Sequence, residues 1–156
     1  MAVLKDHRFA ATAEWLHGKH GLIRARDKLP IDVAVPTELG GLDDDVWSPE
    51  ELLLAACASS YELTIVAVAK KRDIPVHWLE VRSAGHVTRR DDGRLGFIAI
   101  ELDVEFVTSS ERVPDAEAAA RRAKDVCIVT TALDVPVHLR VTARARDAKP
   151  EQVGIR

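Results

Sequence analysis

The stretch from Ser48 to Asp73, SPEELLLAACASSYELTIVAVAKKRD, constrains the fold of this chain more than any other. Ser48 can accept a hydrogen bond from a free amide of a first helical turn, Pro49 suits the first helical position, and Glu51 can close a capping box. Lys70, Lys71 and Arg72 stand where a helix C-terminus favours cations, and Pro75 stops the pattern. A helix of roughly 24 residues at 1.5 Å each is a rod of about 36 Å. Between Leu52 and Ala69 its only charge is Glu62, so it is apolar nearly all round and predicts burial on most sides. The apolar run just reaches membrane-span length, but Glu62, Ser59, Ser60 and Thr64 at its centre favour a buried helix and no membrane.

The flanking pattern is one of strands. Residues 8–17 alternate, with Phe9, Ala11, Ala13 and Trp15 on one face, and Leu22–Arg26 reads as the hairpin partner across Gly18–Gly21. Ile31, Val33 and Val35 give a third strand. A loop with Gly40-Gly41 and Asp43-Asp44-Asp45 then leads into the helix, as a solvated charge run or as the rim of a site. After the helix, Val76–Arg89 is a long strand with Gly85 as its bulge. Asp91–Arg94 makes a turn, and Ile98, Ile100, Leu102, Val104 and Phe106 alternate inward on the returning strand. Pro114-Asp115 opens a second helix with an apolar stripe of Ala116, Ala119, Ala120, Ala123 and Val126/Cys127. Val135–Val141 is the last strand, and the polar tail from Arg144 is expected to fray. The order βββ–α–ββ–α–β, rich in hairpins, predicts an α+β fold with one mostly antiparallel sheet and helices on one face. The helix is too apolar for one small sheet to cover, which predicts a homodimer.

At 156 residues the chain is expected to be a single domain, 1–156, with a core of about 8–143 and a tail of 144–156. The net charge of -3, with interspersed signs, excludes a basic footprint for nucleic acid. The N-terminus MAVLKDHRF has no secretory apolar segment, so a cytoplasmic protein is expected. His7, His17, His20, His77, His86 and His138 lack metal-ligand spacing, and no phosphate loop or dinucleotide fingerprint is present; neither metal nor cofactor is expected.

The chemistry-bearing cluster lies half-way along the long helix. Cys57 and Ser60 are three residues apart and share a face, which Thr64 extends. From spacing alone, a close-packed seam around an inert buried thiol accounts for that face better. Cys127 shares the Ala stripe that must meet the same core. Two such thiols suit peroxide reduction, where one thiolate attacks oxygen and another thiol resolves the sulfenic acid. A cation or a hydrogen-bond donor is needed to hold the thiolate; Arg24 and Arg26 could serve as the cation, or lie on an exposed hairpin face.

In SPEELLLAACASSYELTIVAVAKKRDI, the preceding PTELGGLDDDVW and the later ARRAKDVCIVTTAL, the chain resembles the OsmC/Ohr family, the osmotically inducible and organic-hydroperoxide-resistance proteins. The likeness covers about residues 8–143. It implies an intertwined homodimer with sites at the interface, and reduction of small hydroperoxides by a cysteine pair recycled by a dithiol or lipoyl-type reductant. By this resemblance Glu50 is the carboxylate that orients an active-site Arg, with Arg24 and Arg26 matched by position only. Cys127 is the resolving cysteine, followed by Ile128 where the family usually has Pro. The peroxidatic cysteine position, however, is Ser60, and a serine hydroxyl cannot become a sulfenic acid. Three alternatives follow. Cys57 has taken over one turn earlier; the fold is catalytically degenerate and binds a small apolar ligand; or Ser60 is an engineered Cys→Ser change that silences a peroxidase.

Overall fold

The structure, a computed structural model, describes residues 6–146. It divides into two compact units at Leu53/Leu54.

The first unit holds a three-stranded antiparallel sheet of β1 (Thr12–His17), β2 (His20–Arg24) and β3 (Ile31–Ala34), in that order. Strand β1 is shorter than the alternation predicts, because Phe9 and Ala11 lie outside it. The turn is tighter, with only Gly18 and Lys19 between the strands, and the register slips between Trp15 and His17. Gly18 takes φ +50, the left-handed backbone such a turn requires. The loop after β3 is tied down by Thr37, whose amide and hydroxyl donate to Asp44 at 2.9 and 2.6 Å. One residue of the Asp run is therefore structural as well as solvated.

Helix α1 spans Pro49–Lys71, within two residues of the expected bounds at each end. Its capping box is formed: the Ser48 amide donates to Glu51 Oε2 at 2.8 Å, and the Glu51 amide donates to Ser48 Oγ at 3.1 Å. At the other end Asp73 takes the left-handed conformation (φ 52), and the amide of Ile74 returns to the Ala69 carbonyl at 3.0 Å. That is a Schellman turn with Asp in the usual glycine position and Ile74 buried beneath it. Within the chain, only the stripe Cys57, Tyr61, Ile65 and Ala69 is fully buried. Leu63 is 67% exposed and Val66 39%, so the burial on most sides expected of this helix is not reached by one chain. By length and hydropathy alone α1 would also reach across a membrane.

The second unit contains most of α1 and a second sheet, β4 (Trp78–Arg89), β5 (Leu95–Thr108) and β6 (Val137–Ala145). The expected single sheet is thus two. The β4–β5 pair is antiparallel and β5–β6 is parallel, since α2 (Val113–Ala123) intervenes as a crossover connection. The expected bulge at Gly85 is elsewhere. His86 pairs with Ala99 and Val87 with Phe97, so Ile98 is the extra residue. An inserted residue reverses the faces beyond it. Phe97 therefore packs against the core, while Ile98, expected inward, is 46% exposed. Gly85 is needed for close approach instead: a Cβ there would lie 2.4 Å from the Phe97 ring and 3.0 Å from Leu54. Ile100, Leu102, Val104 and Phe106 point into one core with the α1 stripe and Ala116, Ala119, Ala120 and Ala123 of α2. Strand β6 runs through Arg144 to Ala145; the rest of the expected polar tail lies outside the described residues.

Candidate functional site

Alanine at four core positions of α2 lets this helix pack on strands β5 and β6, and a long side chain of α1 reaches across to it. Tyr61, fully buried, donates its hydroxyl to the Ala120 carbonyl at 2.5 Å and pins the two helices. Burial first, and then the neighbouring Cys127, push the phenol up, so it stays neutral.

Cys127 is not in α2, as the apolar stripe suggests, but one turn past its end. The amides of Val126 and Cys127 still reach the Ala123 carbonyl, at 3.2 and 2.9 Å. The next turn is tight, with the Thr131 amide and hydroxyl both donating to the Cys127 carbonyl at 3.1 and 2.7 Å. Cys127 is fully buried, and its Sγ lies 3.3 Å from Ser60 Oγ. The two positions that the resemblance gives to a cysteine pair are therefore in hydrogen-bond contact.

The environment of the two thiols differs. Burial is the largest influence on Cys127 and raises it. Hydrogen bonding from Ser60 foremost, with the polar groups of Thr130 and Val129 nearby, outweighs burial and lowers the thiol below its ordinary value. Cys57, also fully buried, is pushed up by burial and then by Cys127. Both are free thiols. Cys57 belongs to the buried stripe of α1, whereas Ser60 is half-buried beside it and Thr64 bonds back to the Ser60 carbonyl at 2.7 Å. An open groove of about 490 Å³ runs along this side of α1. Ser60, Thr64, Val68, Val126 and Ile128 line it, with Lys71 at the end. Its wall is apolar, and Ser60 is the polar side chain linking it to the Cys127 sulfur.

The remaining site residues lie in the first unit. Glu50 stands in the first turn of α1, with Oε2 buried and unpartnered. Arg24 is exposed and lies 3.7 Å from Glu14 across the β1–β2 hairpin. Arg26 occupies the following turn with φ 45. Both arginines line a basic groove of about 700 Å³ with Arg8, Phe9 and Lys28, and neither bonds Glu50 among the described residues. The group on the Cys127 sulfur is the Ser60 hydroxyl, and the turn that carries Cys127 is held by the Thr131 amide and hydroxyl on its carbonyl, a turn the sequence reading overlooked. The signal was present in Cys-Ile-Val-Thr-Thr, a cysteine opening a turn with two threonines where a cap residue would stand. Among the described residues no three His, Cys, Asp or Glu side chains gather as a metal site.

A family model described as OsmC-like protein matches residues 42–142. The chain belongs to the OsmC family. Among curated relatives, the uncharacterized protein YmaD of Bacillus subtilis is 23% identical over 149 residues, covering 92% of this chain and 97% of YmaD. Among solved structures, an OsmC-like protein of unknown function from Vibrio cholerae superposes with a TM-score of 0.80 at 14% identity, covering 88% of this chain and 100% of that one. An organic hydroperoxide resistance protein from Elizabethkingia anophelis, with thiocyanate bound, gives 0.75 at 22% identity, covering 94% and 100%. One from Legionella pneumophila gives 0.72 at 24%, covering 88% and 96%. These likenesses establish an OsmC-type α+β fold.

Proposed function

We propose that this OsmC-family protein is a thiol-dependent hydroperoxide reductase, acting in the cytoplasm as a homodimer and returned to its thiol state by a dithiol. The observation that carries the reading is the 3.3 Å contact between Ser60 Oγ and Cys127 Sγ beside an apolar groove. The groove suits the organic part of a hydroperoxide, and the hydrogen-bonded sulfur suits nucleophilic attack on its oxygen. Two free, buried thiols fit a reducing compartment. The dimer is supported by the apolar side chains left in water around the groove: Leu63 at 67%, Val126 at 46% and Ile128 at 75% exposure. A hydroxyl in place of the groove-lining thiol makes turnover slow.

A second reading is a binding protein that holds a small apolar ligand in the same groove without chemistry. It is favoured by the complete burial of both sulfurs. Consumption of an organic hydroperoxide in the presence of a dithiol separates the two. The peroxidase reading expects slow turnover above the protein-free blank, lost in Cys127→Ala and raised by orders of magnitude in Ser60→Cys. No turnover in the protein as it stands, with saturable binding of the same hydroperoxide, would establish the binder instead.

A further inference from the structure

We infer that Cys127, in the position the family resemblance gives to the resolving thiol, is the thiol that reacts with peroxide in this chain, with Ser60 as its positioning residue and without a second cysteine in the cycle. This rests on the peroxidase reading and specifies its atoms.

Three observations carry it. Ser60, which lines the groove, is in contact with the buried Cys127 sulfur, and the chain neighbours of Cys127, Val126 and Ile128, line the groove too. Cys127 also has what a reacting thiol needs, a hydroxyl at the sulfur: Ser60 Oγ at 3.3 Å. Cys57 is buried as completely as Cys127, but its thiol is pushed up, and the hydroxyl of the groove-lining Ser60 is on the Cys127 sulfur instead. The residue of α1 against Cys127 is Ser60, three positions on from Cys57, a displacement of about 4.5 Å along the helix axis. A disulfide needs its sulfurs about 2.05 Å apart. Oxidised Cys127 therefore meets a hydroxyl where a resolving thiol would have to stand.

The steps balance as follows. The Cys127 thiolate attacks the terminal oxygen of ROOH; the S–O bond forms, the O–O bond breaks, and RO⁻ leaves to be protonated to ROH. Ser60 donates first to the thiolate and then to the oxygen bound to sulfur. One thiol of an external dithiol condenses with the sulfenic acid, releasing water and forming a mixed disulfide on Cys127. Its second thiol displaces Cys127 as the free thiol and leaves the dithiol oxidised to its own disulfide.

The experiment treats the full chain with one equivalent of organic hydroperoxide in the presence of dimedone and maps the label by peptide mass. The expected result is label on Cys127, at an undiminished level in Cys57→Ala. Ser60→Ala should move the pH profile of labelling to higher pH, while Ser60→Thr, which keeps the hydroxyl, restores the original profile. Label on Cys57, a Cys57–Cys127 disulfide, or a pH profile unmoved by Ser60→Ala would overturn the inference even if hydroperoxide is turned over. Label on Cys127 without dithiol-supported turnover would leave the inference standing and refute the peroxidase reading.

Discussion

Ser60→Cys would convert a hydrogen bond into a covalent link whose energy follows from the structure. Oγ and Sγ are 3.3 Å apart, and closing to the bond length of about 2.05 Å needs a shift of roughly 1 Å. The longer C–S bond supplies part of that shift. The link would join positions 67 residues apart. The chain-entropy relation gives about 4 kcal/mol for a loop of that length. For a chain of this size each kcal/mol raises Tm by about 2–4 °C, so the oxidised variant should melt on the order of 10 °C above its reduced form. The assay is a pair of thermal scans on Ser60→Cys, one after stoichiometric peroxide and one in excess reductant. The wild-type chain, scanned alongside, should show no such gap. A variant that forms no disulfide on oxidation, or melts equally in both states, would refute the close approach of α1 to the Cys127 turn.

Tyr61→Phe removes the hydroxyl that donates to the Ala120 carbonyl and should cost about 1–2 kcal/mol in a denaturant midpoint, from the loss of a buried hydrogen bond. Gly85→Ala drives a methyl into the Phe97 ring and Leu54, and overpacking should cost about 1–3 kcal/mol in the same measurement. Since Cys127 is lowered in the folded state, a larger fraction of it is thiolate at a given pH than in the unfolded chain. Its oxidation rate should rise with pH and level off below the ordinary thiol range; by the same sign, its contribution to stability is present above that range and is lost as pH falls through the lowered value. A rate still climbing at the ordinary thiol value would contradict this. Leu63→Lys places a charge on the exposed apolar side of α1 and should turn a dimer burying more than about 2,000 Å² into monomers in light scattering; a wild-type monomer at micromolar concentration would defeat the dimer.

The parts of this fold written in local chemistry were legible in advance. The capping box at Ser48 and Glu51, the end of α1 near Lys71, the Asp-Gly turn and the four-alanine stripe of α2 each rest on residues close in sequence. What failed depends on distant partners. The bulge at Ile98 is chosen by which side chain fills the space beneath Leu54 and Gly85, so alternation alone placed Ile98 inward. The parallel β5–β6 pairing and the split into two sheets are tertiary choices with no period of their own. For the site, the resemblance aligned Ser60 with Cys127 and the structure brings them together, but it could not show what surrounds the sulfur. The sulfur sits in a turn after α2 that a helical reading of Val126 and Cys127 hid. The arginines were assigned by position, and Arg24 instead has its carboxylate across the hairpin in Glu14.

The central claim is that a single thiol, Cys127, carries the chemistry beside Ser60. Thiols counted by alkylation after acid quench, before and after one equivalent of organic hydroperoxide and without reductant, test it directly. The account predicts that one of the two thiols is lost, with a single added oxygen in the intact mass. Loss of both thiols with two hydrogens removed would mean that Cys57 takes part, and loss of neither would mean that the chain has no thiol reactive toward peroxide.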